Sequence, residues 1–328
     1  MSRSTAEESK AVAMPTTGSA ASRRNASGLV PTPAARPYVW YFEPLRWLLL
    51  GLARLPLGVL YVFAEGIYFL LAYVVRYRWR VVTQNLRNSF PEKTPAEIER
   101  TGRAFYRHFS QVVVEILKLA AITPEELQRR MRFTNPQLMT RHFADHRPVL
   151  SLGSHMGNWE WILSGAALEF PGRAAGVYKP LNNVFFESFM RRLRTRLGAE
   201  AVPMLATLRY LVAHRGEGRT LSLLTDQAAG PEDRPYWTEF LHQDTSFYTS
   251  ADRLAAQLDC AVLYVGIRRV RRGYYEVAFT ELPDGRAAKA ASAGTFPVTE
   301  AFARQLEKDM RAAPEQYLWT HRRWKHGR

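Results

Sequence analysis

Cysteine is nearly missing from this chain of 328 residues, in which Cys260 stands alone. A single thiol forms no intramolecular disulfide and builds no cysteine-rich zinc site. Its place at the head of the apolar run Ala261-Val262-Leu263 marks it as a buried structural thiol in a protein facing a reducing compartment. Acidic residues are also in deficit, with 30 Asp and Glu against 45 Lys and Arg, a formal net charge of +15. An excess of that size favours an anionic partner, either nucleic acid or an anionic membrane surface. The chain lacks zinc-ligand spacing, an aromatic RNP-type motif and an evident helix-turn-helix, which leaves nucleic-acid binding a distant alternative. Residues 1–36, rich in Ser, Ala, Thr, Pro and Arg, lack any sustained apolar period and are expected to be a disordered tail. They also lack the apolar centre of a secretory signal peptide.

Apolar sequence begins after this tail. From Leu55 to Val75 only Glu65 is charged, and Arg76, Arg78 and Arg80 follow at once. A helix of this length reaches about 31 Å, enough to cross a hydrocarbon core, and the arginines suit an interfacial anchor. Pro56, Glu65 and the earlier apolar stretch Trp47–Leu52 suggest instead a helical hairpin or an in-plane helix. Arginines on both sides leave the orientation open. Residues 37–80 are therefore expected to be a membrane-associated helical segment, ahead of a catalytic domain over 81–328.

Within that domain, Ile98, Phe105, Phe109, Val112, Val113, Ile116 and Leu119 recur at helical intervals, and Thr94 is placed to cap a helix over Thr94–Ala121. From Arg147 onward, short apolar strands (149–152, 175–178, 220–224, 261–267, 274–279) alternate with amphipathic helices (158–169, 183–197, 207–214, 249–258, 298–312). The alternation predicts an α/β fold with a layered mixed sheet flanked by helices.

The chemistry concentrates in Val149-Leu-Ser-Leu-Gly-Ser-His-Met-Gly-Asn-Trp-Glu160. A strand runs here through a turn of small residues into a helix, so His155 falls near the carboxyl end of a strand, where open α/β sheets place ligands. Glu160 falls in the first helical turn. Such an imidazole can take a proton from an attacking hydroxyl if a carboxylate holds its other nitrogen. Backbone N–H groups around Gly157 and Asn158 are candidates for stabilising an oxyanion. Asp226 ends another apolar strand; buried there it needs a partner, and an arginine of the 191–196 group is the natural one. Gly153-Ser154-His155-Met156-Gly157 has its serine in the second position, so the nucleophile elbow of a serine hydrolase is not met. No metal site is indicated.

The pattern resembles the H-x4-D/E signature of glycerolipid and lysophospholipid acyltransferases, and more closely the late acyltransferases of lipid A biosynthesis. In order, the matching pieces are Asn85-Leu-Arg-Asn-Ser-Phe-Pro91, His155 with Glu160, Val177-Tyr-Lys-Pro-Leu-Asn-Asn183, Arg194-Thr-Arg196, Thr225-Asp-Gln227 and Ala313-Pro-Glu-Gln-Tyr-Leu-Trp-Thr-His-Arg-Arg-Trp-Lys325. The resemblance covers roughly residues 45–325. Lys179 stands where an Arg is more usual in the family.

The resemblance implies transfer of a fatty acyl chain from an acyl thioester to a hydroxyl of a lipid A precursor, for lipopolysaccharide biosynthesis at the inner membrane, with the catalytic domain in the cytoplasm. His155 would be the general base and Glu160 the residue that orients and charges it, with no covalent intermediate and no cofactor. The donor would be an acyl carrier protein or coenzyme A thioester. Acceptor binding falls to Arg194, Asp226, Arg192, Asn158 and Lys179, with Arg192 and Arg194 alternatives for one role. Arginine grips phosphate bidentately, so the basic helix and the Arg322, Arg323 and Lys325 cluster suit a phosphorylated, anionic lipid. A lysophospholipid, glycolipid or aminolipid acceptor is the alternative within the same chemistry.

Overall fold

Proline sets the first break in the computed structural model, which describes residues 42–326. The tail expected over residues 1–36 lies outside the described residues. Helix α1 (Glu43–Arg54) stops at Leu55, which is extended because the residue before a proline is pushed out of the helical region. Helix α2 (Leu57–Phe69) starts directly after Pro56, and a π-helical turn, Leu70–Val74, prolongs it. The run Leu57–Val74 has 18 residues and a mean hydropathy of 1.8, long and apolar enough by length and composition to cross a membrane. Next come α3 (Trp79–Ser89) and α4 (Pro95–Lys118). Thr94 caps α4 as expected, accepting from the N–H of Glu97 at 3.3 Å while the Glu97 carboxylate takes the N–H of Thr94 at 2.8 Å. Leu57, Leu60, Tyr61 and Ala64 on one side of α2 join the main core, whereas Val59, Val62, Phe63 and Phe69 stay exposed.

The remaining elements alternate: α5 (Pro124–Arg130), β1 (Met131–Phe133), α6 (Gln137–Ala144), β2 (Val149–Gly153), α7 (Trp159–Glu169), β3 (Ala174–Tyr178), α8 (Val184–Thr195), β4 (Glu200–Pro203), α9 (Thr207–Ala213), β5 (Thr220–Leu224), β6 (Tyr236–Phe240), β7 (Gln243–Phe247), α10 (Ser250–Leu258), β8 (Ala261–Arg271), β9 (Tyr274–Glu281), α11 (Gly285–Ala290) and α12 (Pro297–Ala312). Seven strands form one mixed sheet in the order β1-β9-β8-β2-β5-β3-β4, and β6 and β7 form a separate hairpin. Within the large sheet β8 and β9 pair antiparallel and the other neighbours parallel. Central β2 is buried along its whole length, as a parallel strand covered on both faces must be. Its one polar side chain, Ser151, meets Thr220 at 2.6 Å and so buries no orphan hydroxyl. Cys260 is buried, as its apolar neighbours implied.

The motif Ala313–Lys325 forms a latch across the loop after β2. Gly157 donates its N–H to the Gln316 carbonyl at 3.0 Å, and Leu318 donates to the His155 carbonyl at 3.1 Å. This makes an antiparallel bridge between Met156 and Tyr317. The latch is in turn held from the side. Asn85 on α3 donates to the carbonyls of Trp319 and His321, both at 3.0 Å, Arg78 donates to Thr320 O at 3.0 Å, and the Trp324 indole donates to Thr245 at 2.8 Å. The two terminal family motifs thus meet each other, and Arg323 is buried among them, outside the headgroup cluster expected from sequence. Asn85→Ala strands two carbonyls at once, so it should lower unfolding free energy by about 1–3 kcal/mol. Thermal unfolding in detergent reads this, and an unchanged midpoint would mean the latch is held elsewhere.

Candidate active site

Local geometry fixes the loop between β2 and α7. Gly157 has φ +55°, and a Cβ there would lie 3.1–3.3 Å from Ile267, so the position needs glycine twice over. Asn158 caps α7 by accepting the N–H of Trp161 at 3.1 Å. These constraints leave His155 at the carboxyl end of β2 with its side chain 15% exposed. The expected place of the histidine is therefore the one observed.

Its carboxylate partner differs from expectation. His155 Nδ1 meets Asp226 Oδ1 at 2.8 Å, and the His155 backbone N–H donates to Asp226 Oδ2 at 3.1 Å. Asp226 follows β5, which lies beside β2, and its side chain is 2% exposed. The arginine expected as its partner is replaced by this histidine. Burial alone would lower the His155 pKa, but the charge of Asp226 and its hydrogen bond outweigh that and raise it, with Glu160 adding to the effect. The Asp226 carboxyl is held below its usual range; burial opposes this, and His155 and Arg323 overcome it. With Nδ1 engaged, Nε2 is the nitrogen left to exchange a proton with a substrate.

Glu160, expected on His155, is instead clamped by Arg194. The guanidinium of Arg194 donates through Nε at 2.9 Å and Nη2 at 2.6 Å, a bidentate pair beneath partial cover. The reason lies in the helix: Glu160 is in the first turn of α7, aimed at α8, whereas the imidazole is turned back toward β5. Arg194 also lies over the ring of Tyr178, at 5.6 Å. Of the two arginine candidates, Arg194 is the one that meets Glu160, whereas Arg192 is exposed on α8. Arg196 serves structure, donating to the carbonyls of Leu119 and Ile122. Lys179 is exposed just past the end of β3.

Asn158 was expected to touch substrate and does not face outward. It is buried, and its Nδ2 donates at 2.8 Å to Glu115, a residue that sequence reading missed. The Glu115 carboxylate also accepts from Tyr61 at 2.8 Å and Tyr275 at 2.7 Å. Burial raises the Glu115 pKa against the pull of these three bonds and of Arg269. The legible signal was a polar stripe, His108, Gln111, Glu115 and Lys118, at three- and four-residue steps along the amphipathic helix α4, and all four are buried. The Gly157 N–H, a candidate for oxyanion binding, is spent on Gln316. Arg323 is buried with its guanidinium 4.4 Å above Phe247 and without a hydrogen-bond partner among the described residues. Its charge acts on Asp226 through space. Among the described residues no three His, Cys, Asp or Glu side chains converge as a metal site.

Because Asp226 is what raises the His155 pKa, Asp226→Asn should move it down, toward the value burial alone imposes. Nitrogen NMR of the labelled imidazole measures this directly. An unshifted titration would show that the Nδ1 contact carries no charge.

The sequence is similar to known proteins over most of its length. Residues 38–326 match the family described as bacterial lipid A biosynthesis acyltransferase. The Escherichia coli (strain K12) lipid A biosynthesis palmitoleoyltransferase is 24% identical over 288 residues, covering 87% of this chain and 90% of that protein. A Shigella flexneri lipid A biosynthesis acyltransferase is similar to the same degree, 24% with the same coverage of 87% and 90%. The Escherichia coli (strain K12) lipid A biosynthesis lauroyltransferase is 24% identical over 306 residues, 90% of this chain and 94% of that protein. With residues 38–326 matched, the chain belongs to the bacterial lipid A biosynthesis acyltransferase family.

Proposed function

We propose that this protein moves a fatty acyl chain from an acyl thioester to a hydroxyl of a lipid A precursor at the cytoplasmic face of the inner membrane. The observation that carries the reading is the pinned imidazole of His155 in a chain matched to this family over residues 38–326. His155 Nε2 takes the proton of the acceptor hydroxyl as its oxygen attacks the thioester carbonyl carbon. The tetrahedral adduct collapses, the carbon–sulfur bond breaks, and the departing thiolate takes the proton back from the imidazolium. Asp226 holds the tautomer that leaves Nε2 free and stabilises the imidazolium while it exists. Glu160 adds a second negative charge nearby without touching the ring, and Arg194, positioned by Glu160, is the cation best placed for an acceptor phosphate.

A covalent acyl-enzyme is not needed, because the thioester carries its own leaving group. Ser154, the adjacent hydroxyl, is buried. The donor carrier is an acyl carrier protein or coenzyme A, and the acyl length follows from the depth of an apolar channel at about 0.8 kcal/mol per methylene.

Mass spectrometry of lipid A is the decisive test. Cells lacking the gene should regain one secondary acyl chain with the wild type and none with His155→Ala. Equal restoration by both proteins would remove His155 from the mechanism. A base must be deprotonated to work, so kcat/KM should fall as pH drops through the raised pKa of His155. In Asp226→Asn that acid limb should move to lower pH while the plateau falls by roughly 10²–10⁴-fold. A lower plateau with an unmoved limb would assign the limb to another group.

A further inference from the structure

The carboxyl edge of the large sheet carries side chains that neither the core nor the active site uses. Strands β2, β5, β3 and β4 run parallel and side by side, so their ends share one rim with His155. Gly153 pairs with Leu224, which is partly exposed beside the catalytic loop. Tyr178 pairs with Pro203, so the segments that follow, Leu181 on one and Met204-Leu205 on the other, leave the sheet as neighbours. Leu181, Phe186, Met204 and Leu205 are all exposed, and Leu205 is 98% so. Phe185 stacks on Phe42 at 5.0 Å, which ties this corner to the start of α1.

On the other side of His155 the rim is built differently. Strand β8 pairs with β2 as far as Tyr264 and Leu152, then runs seven residues further to Arg271, about 23 Å of strand past the edge. Its tip reaches α2: the Arg272 guanidinium lies 4.6 Å above the Tyr61 ring. Arg268, Val270, Arg271 and Arg272 are exposed there, next to the helix that exposes Val59, Val62 and Phe63. Apolar side chains beside a row of cations match the acyl and headgroup layers of an anionic membrane.

We propose that this edge docks on an anionic phospholipid bilayer through two feet, α2 with the β8–β9 hairpin on one side and Leu181, Phe186, Met204 and Leu205 on the other, with His155 opening between them. On the second foot Leu205 is almost free of the fold at 98% exposed, and lipid accommodates such a side chain where a folded partner needs a matching hollow. Cationic Lys179 and Arg192 are exposed next to it, as the arginines are on the first foot. The proposal rests on the membrane location in the preceding reading and is independent of acyl transfer.

The test uses the full chain with one introduced cysteine, Leu205→Cys, Val62→Cys or Val270→Cys, bearing an environment-sensitive fluorophore. Cys260 does not compete, since it is buried and its thiol is pushed up to about 12. Vesicles of phosphatidylethanolamine and phosphatidylglycerol carry nitroxides on their acyl chains or headgroups. Probes at 205 and 62 should both lose most of their emission to acyl-chain nitroxides. The probe at 270 should be quenched by headgroup nitroxides, and less so when phosphatidylcholine replaces the anionic lipid. Quenching at 62 without quenching at 205 would overturn the second foot, and indifference at 270 to lipid charge would overturn the role of the hairpin. Protection of position 205 by added apo acyl carrier protein, without lipid quenching, would assign the patch to a protein partner instead. Quenching at all three sites in a chain that transfers no acyl group would retain the docking surface and reject the enzymatic reading.

Discussion

One carboxylate grips His155 at two points, the ring Nδ1 and the backbone N–H, and the rest of the site is arranged around that grip. Two contacts to a single residue fix both the position of the loop and the rotation of the imidazole. A freely turning ring would present either nitrogen and either tautomer. Here one nitrogen is committed and the other is left for chemistry. The cost is a buried carboxylate, which is tolerable only where opposite charge lies close. His155 supplies part of that charge and Arg323 the rest, from behind.

The same economy recurs one layer deeper. Glu115 holds Asn158, which holds the first turn of α7, which carries Glu160 toward Arg194. Tyr61 contributes to the same carboxylate from α2, so the apolar helix α2 and the loop of His155 share one buried polar knot. Such knots are costly when one member is lost, because the others are left unsatisfied in a medium of low dielectric. The knot therefore makes the seating of α2 a condition for an ordered loop, and α2 is part of the site's scaffold.

Much of this was legible in the residues themselves. The strand–turn–helix around His155, the cap at Thr94 and the central strands all follow from periodicity and local chemistry, which sequence displays directly. The partner of His155 was not legible, since spacing along the chain brings Glu160 close and only the pairing of β2 with β5 brings Asp226 closer. The β6–β7 hairpin escaped for another reason. Its turn residues, Leu241 and His242, have φ of 49° and 61°, a conformation usually announced by Asn-Gly, and burial of Leu241 holds it in place of the usual signal. Strand β4 is four residues with a proline at its end, too short to show an alternation. Asn158 was misread because a cap, a ligand and a buried donor all require the same amide, and only the packing distinguishes them.

The latch has a consequence for the order in which the protein is made. Residues 314–324 follow every strand of the sheet in sequence, yet they close the loop that carries His155. During synthesis α1 and α2 precede every strand, and β2 waits for β5 and β8, both distant in sequence. The loop of His155 gains its last two backbone bonds only after the chain has passed Leu318. The strand–turn–helix that carries His155 is thus begun early in the chain and closed by nearly its last described residues.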